Sequence, residues 1–314
     1  MTSVSERAVL PRIAITVGDP RGIGPEIVAK VLADPPQGAE YLVVGPDDLI
    51  RDLPAEGVPI GRQVGRRGER TGEPAALPAR DAGLLTALQV EAAVSLALGG
   101  SVDAIVTGPA EKYALHMAGY RVPGHTEWLG QLAGGVETAM MLAAGGLRVV
   151  LLTTHIALKD VPGAVTRELI VCKGRITSDA LASWWGIEQP RIAVCALNPH
   201  ASEGGLFGSE EAEILAPAAR DLAAAGPLPA DTVFVRALNG EFDAVLTPSH
   251  DVGMTAVKVA GFGKGVNVTL GLPFIRTAPD HGTAFDIAGR GIADPGSLRE
   301  AVSLAVRLAG PRRE

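Results

Sequence analysis

Short apolar runs of strand length alternate with segments of helical periodicity along most of this 314-residue chain. That alternation is the signature of βαβ units and a largely parallel sheet. Hydrophobic residues make up 47% of the chain, aromatics only 4%, and there are 39 glycines. The core must therefore be small aliphatic side chains packed between helices and sheet, which points to an α/β fold rather than an all-β sandwich.

The first unit is the clearest. Arg12–Val17 reads as a buried strand, Gly18–Gly24 as a glycine-rich turn, and Pro25 as the first residue of a helix through Ile27, Val28 and Val31. Leu84–Leu98 reads as a helix and Val102–Val106 as the next strand. Ala139–Ala144 and Leu147–Thr153, separated by Gly145-Gly146, predict a β-hairpin, hence one antiparallel excursion. Further on, Arg167–Trp185, Ser209–Ala224 and Leu298–Leu308 read as helices, and Arg191–Leu197 and Ala244–Thr247 as strands. Gly61–Arg80 lacks periodicity and reads as a solvated surface excursion.

A net charge of −7 argues against nucleic acid as a partner, which demands clustered Lys and Arg. Cys172 and Cys195 sit in apolar contexts without CxxC spacing and read as buried thiols, in keeping with a reducing cytoplasm. Met1–Leu10 lacks the apolar stretch of a signal peptide, and no window reads as a membrane span, so a soluble cytoplasmic protein without a membrane partner is expected.

Three histidines recur at equivalent places. His155 follows the strand ending at Leu152, His200 follows Arg191–Leu197, and His250 follows Ala244–Leu246. Ligands of open α/β sheets bind beyond the carboxyl ends of strands, and three imidazoles with an open position suit a catalytic divalent metal. Zn²⁺ fits this donor set, with Co²⁺, Ni²⁺ and Mn²⁺ left open. Downstream, Asp251, Lys258, Asn267 and Arg276 spread over a glycine-rich stretch. Such groups supply the charge and donors that a phosphate or carboxylate needs in an acidic protein. The turn Gly18–Glu26 is neither GxGxxG nor a P-loop.

Six motifs, in order and in register, closely resemble the 4-hydroxythreonine-4-phosphate dehydrogenase family: Gly18–Glu26, Pro123–Glu127, Thr154-His155, Asn198–Ala201, Gly263–Arg276 and Asp280–Ala284. Thr154–Leu158 and Gly205–Gly208 look more like the branch acting on the 4-phosphates of threonate or erythronate. The resemblance implies that His155, His200 and His250 ligate a divalent metal (Zn, Co, Mn or Mg). It implies that His125, Thr126, Asp231, Lys258, Asn267 and Arg276 bind a small phosphorylated hydroxy acid. It also implies a homodimer with active sites shared between subunits, one His reaching the site from the partner.

The run His281–Gly289 is similar to the cofactor loop of isocitrate and isopropylmalate dehydrogenases. This implies two α/β lobes with the active site in the interlobe cleft, and NAD, with NADP open, bound by His281, Gly282, Thr283, Ala284 and Asp286. The expected division is 1–120 with 265–314 as a discontinuous first domain and 121–264 as the second. The implied reaction is oxidation of a secondary alcohol, with decarboxylation of the resulting β-keto acid, and Lys112, Asp251 or a metal-held water taking the hydroxyl proton. Two departures stand out: Glu111 replaces the family's usual Asn, and Val252 replaces a Gln. The rival readings are a dehydrogenase of a non-phosphorylated cyclic diol carboxylate and a non-catalytic metal- and phosphoacid-binding protein.

Overall fold

The computed structural model describes residues 9–61, 77–122, 124–261 and 264–311. Most of Met1–Leu10 and of the Gly61–Arg80 excursion, with Pro123, Phe262 and Gly263, lies outside the described residues. The strands are β1 (Arg12–Thr16), β2 (Glu40–Gly45), β3 (Glu56–Pro59), β4 (Ala104–Thr107), β5 (Ala139–Ala144), β6 (Leu147–Leu151), β7 (Ile192–Cys195), β8 (Ala225–Leu228), β9 (Ala244–Thr247), β10 (Val266–Leu270) and β11 (Ile275–Pro279). The fold is α/β, and the chain divides into two compact units, Met1–Gly135 with Pro273–Glu314, and Val136–Leu272.

In unit 1 the strand order is β3-β2-β1-β4-β11, parallel throughout. β4 is wholly buried and β1 nearly so, as strands covered on both faces require. Helix Ala79–Leu98 packs against β1, β2 and β4. Against the sequence expectation, this helix is long and apolar enough to cross a membrane. Its burial along Ala82, Ala87, Val90 and Ala93 marks it instead as a core helix.

In unit 2 the order is β10-β5-β6-β9-β7-β8. β5 is antiparallel to both β6 and β10, while β6, β9, β7 and β8 run parallel. The Gly145-Gly146 hairpin is thus present as expected, and Gly145 takes the left-handed φ of 59° that such a turn needs. Helix Arg167–Trp185 matches its expected bounds because both ends are chemically marked. Thr166 Oγ1 accepts from the Leu169 N–H at 3.1 Å, and Gly186 ends the helix in the left-handed conformation.

Three expectations need correction. The units exchange at Gly135/Val136 and Leu272/Pro273, later than the expected 120/121 and 264/265. Helix His125–Leu132 packs near Ala79–Leu98 in unit 1, and β10 joins unit 2 through its pairing with β5. The helix expected over Ser209–Ala224 is interrupted, with a π-helical turn at Glu211–Leu215 before an α-helix at Ala216–Asp221. Cys195 is buried, and burial pushes its thiol up to about 12, but Cys172 is only half-buried.

Unit 1 contains several backbone approaches that tolerate no side chain, the tightest of them at Gly83. A Cβ on Gly83 would lie 1.9 Å from the Ala114 carbonyl oxygen, where helix Ala79–Leu98 meets helix Lys112–Met117. Gly83→Ala is expected to cost about 1–3 kcal/mol, read as a lowered urea midpoint. Gly146→Ala, which adds a methyl facing open space, is expected to leave the midpoint unchanged.

Candidate active site

β6, β9 and β7 are adjacent and parallel, so their carboxyl ends share one edge of unit 2. His155, His200 and His250 each lie just beyond one of these ends. Two of the loops are pinned together: Thr153 donates from its N–H at 3.3 Å and its Oγ1 at 2.6 Å to the Pro248 carbonyl. That tie brings the His155 and His250 rings to a centroid separation of 5.4 Å. His250 Nδ1 lies 2.8 Å from Asp251 Oδ1, at the start of helix His250–Gly261. These residues, with Thr154 and Ser249, line a small cavity of about 120 Å³.

His200 occupies a different kind of turn. His200, Ala201, Ser202 and Glu203 all have φ between 43° and 67°, followed by Gly204 at 71°. Left-handed backbone costs about 1–2 kcal/mol for each non-glycine residue, so other contacts must hold the turn. They come from Glu211, which is 4% exposed. One of its oxygens accepts from the Leu197 and Asn198 N–H groups at 2.9 and 2.6 Å; the other accepts from Asn198 Nδ2 at 2.9 Å and from Ser202 Oγ. Burial pushes its carboxyl up, but the hydrogen bonds from Ser202 and Asn198 outweigh that and hold it below its usual range. His200 Nδ1 lies 3.9 Å from Asp231 Oδ2, in a cavity of about 500 Å³ also lined by Asn198, Val161, Ser249 and Val252.

Imidazoles beside carboxylates have the donor chemistry of a divalent-cation site. Among the described residues of one chain, no three His, Cys, Asp or Glu side chains gather closely enough to hold an ion. The reason is local. His155 and His250 are drawn together by the Thr153–Pro248 tie, whereas the His200 turn carries its ring to Asp231.

The expected anion-binding residues divide between the units. In unit 1, Arg276 is 3% exposed on β11 and donates from Nε and Nη2 to Thr107 Oγ1 at 3.2 and 2.6 Å. Burial pushes the guanidinium down to about 10, so it stays charged. His125 begins its own helix, its ring edge-on to Trp128, with a buried Nε2 that has no partner among the described residues. Burial, reinforced by the Arg276 charge, pushes the imidazole down to about 4. Thr126 is buried beside it, and Lys112 is exposed at the start of helix Lys112–Met117. In unit 2, Asp231 starts helix Ala230–Leu238, Lys258 and Asp251 are exposed on helix His250–Gly261, and Asn267 lies half-buried on β10.

The turn Gly18–Glu26 and the loop His281–Gly289 are in direct contact. Thr283 accepts from the Ile23 N–H at 2.9 Å, and a Cβ on Gly22 would lie 2.8 Å from the Thr283 oxygen. Gly18, at φ 79°, is gripped by buried Gln89, which accepts from its N–H at 3.1 Å and donates to its carbonyl at 3.0 Å. Arg21 donates to Asp19 and, at 2.6 Å, to Glu111, with its guanidinium 5.1 Å from the centre of the Phe285 ring. Glu111, the departure from the family pattern, thus holds Arg21. His281 Nε2 is buried without a partner among the described residues, and Ala284 has a left-handed φ of 43°. Gln89, Ser202 and Glu211 escape sequence reasoning, and Arg21 and Phe285 lie within the quoted motifs without a role assigned to them.

Unit 2 carries imidazoles beyond its strand ends and unit 1 a buried guanidinium on β11, and comparison with known proteins gives the class as dehydrogenase. Residues 63–305 match the family described as Pyridoxal phosphate biosynthetic protein PdxA, and the chain belongs to that family. It is 44% identical to the 4-hydroxythreonine-4-phosphate dehydrogenase of Caulobacter vibrioides, covering 96% of this chain and 98% of that one. The crystal structure of the Klebsiella pneumoniae 4-hydroxythreonine-4-phosphate dehydrogenase superposes with a TM-score of 0.84 at 38% identity, covering 96% of this chain and 100% of the other. A terephthalate 1,2-cis-dihydrodiol dehydrogenase from Burkholderia xenovorans gives 0.68 at 28% identity, covering 95% and 98%.

The His125 environment makes a pH prediction. Its folded value of about 4 lies below the ordinary 6.5, so between these values the unfolded chain binds the extra proton. This contribution to stability is complete above about pH 6.5 and is lost as the pH falls towards about 4. Urea midpoints measured across that window should fall less steeply for His125→Gln than for the parent; identical slopes would contradict the buried neutral imidazole.

Proposed function

We propose that this protein is an NAD-linked dehydrogenase that oxidises the secondary alcohol of a 4-phosphorylated four-carbon hydroxy acid and promotes loss of its carboxylate. The observation that carries this reading is the buried Arg276 guanidinium beside neutral His125, whose Nε2 has no partner among the described residues. A cation and a polar imidazole enclosed together are best complemented by an anion such as a phosphate. The relatives named 4-hydroxythreonine-4-phosphate dehydrogenase support the substrate class.

His155, His200 and His250 would hold a divalent cation (Zn, Co, Mn or Mg), with the shell completed across a homodimer. When bound, such a cation would acidify an alcohol and stabilise the enolate charge left behind as the carboxylate departs as CO2. Arg276 and His125 would anchor the phosphate, with Thr126, Lys258, Asn267 and Asp231 contacting the rest of the substrate. Neutral His125 offers a hydrogen bond without adding charge. Lys112 or Asp251 would take the hydroxyl proton as hydride passes to the nicotinamide. The loop residues His281, Gly282, Thr283, Ala284 and Asp286 would meet the dinucleotide, preferentially NAD because Arg21 is already committed to Asp19 and Glu111. A cytoplasmic location would suit the same metabolic role.

The likeness to a dihydrodiol dehydrogenase favours one second reading, a non-phosphorylated cyclic substrate. The purified, metal-supplemented protein should form NADH with 4-hydroxythreonine 4-phosphate or with the 4-phosphates of threonate and erythronate, and far more slowly with the dephosphorylated acids. Arg276→Ala should lower kcat/KM for the phosphorylated substrate by about 2 kcal/mol or more, at least roughly 30-fold, with little change for its unphosphorylated analogue. Equal kcat/KM with and without phosphate in the parent protein would establish the diol reading instead.

A further inference from the structure

The His200 turn is held from outside itself. Its residues His200–Glu203 sit in backbone conformations that side chains disfavour, and the Ser202 carbonyl accepts from the Leu206 N–H and, at 3.3 Å, from the Phe207 N–H. Glu211 grips it at two places: Leu197 and Asn198 just before it, and Ser202 within it. The carboxylate is nearly fully buried, and these four donors all belong to one loop. The helix that carries Glu211 opens on a π-helical turn, Glu211–Leu215, that begins at the residue making the contact.

We propose that Glu211 is a positioning residue that holds the His200 turn in its left-handed form and so sets the direction in which His200 presents its imidazole to a cation. The functional half of this inference rests on the reading of His200 as a metal ligand. An acceptor that joins Asn198, two residues before His200, to Ser202, two residues after it, fixes the ring's backbone on both sides. Ligand-orienting partners of this kind govern affinity without touching the ion.

Two readouts on the full-length protein test it. Amide hydrogen exchange over Asn198–Gly205, without metal, reports the turn itself. Titration with Co²⁺, followed by visible absorption, reports the ligand field and affinity. Glu211→Gln should speed exchange in the turn but not in helix Arg167–Trp185, shift the Co²⁺ absorption band, and weaken Co²⁺ binding by roughly 10–100-fold. Ser202→Ala, which removes one donor and leaves the carboxylate, should move both readouts in the same direction by less, and it carries the test if Glu211→Gln does not fold.

Unchanged exchange in the variants overturns the proposal. So does faster exchange with an unchanged Co²⁺ band and affinity, provided that His200→Ala does weaken Co²⁺ binding. If His200→Ala binds Co²⁺ like the parent, the ligand reading of His200 fails and the functional half of the proposal with it, while the exchange data still decide whether Glu211 holds the turn.

Discussion

Strand direction is the constraint on which the rest of unit 2 depends. β6, β9 and β7 are neighbours and run the same way, so three loops far apart in sequence open on one edge. Reversing any one of them would send its histidine to the opposite end of the sheet. The parallel arrangement is possible because helices cross between the strands, and it is fixed by buried aliphatic residues such as Val149, Val194 and Val245. The antiparallel β5 does not disturb it, because the Gly145-Gly146 hairpin absorbs the reversal before β6 begins.

Given that edge, short polar ties set where each ring goes. Thr153 joins the loops after β6 and β9, and Glu211 shapes the loop after β7. Unit 1 uses the same device around its glycine-rich turn. Gln89 fixes Gly18, Arg21 is held by two carboxylates, and Glu26 accepts from the Gly291 and Ala293 N–H groups that follow the cofactor-like loop. In both units, buried polar side chains are spent on backbone that lacks regular partners, which is where an unsatisfied group would be most costly.

What the sequence reveals follows from whether a signal is local. The hairpin was legible from two glycines between apolar runs, and helix Arg167–Trp185 from its helical pattern. The three histidines were legible as strand-end residues, because strand and loop adjoin in sequence. The course of the loop that carries His200 was not, since it depends on a left-handed turn that no residue of His200–Glu203 advertises. Glu211 reads as an ordinary acidic residue near a helix start until its partners, 9 to 14 residues earlier, are in view. β10 and β11 were hidden by the glycine-rich stretch and the proline before them, and their place in the sheets comes from pairing with distant strands. The family resemblance carried the substrate class, which composition and spacing alone do not reach.

The shared strand edge of unit 2 is proposed as a cation site served by all three histidines. Anomalous diffraction at the cobalt edge, from crystals grown with Co²⁺, locates the ion. One strong peak per active site is expected, bonded to imidazole nitrogens of His155, His200 and His250, one of them contributed by a partner subunit if the shell closes across a dimer. A peak that omits His200, or ordered Co²⁺ bound only elsewhere on the protein, would contradict it.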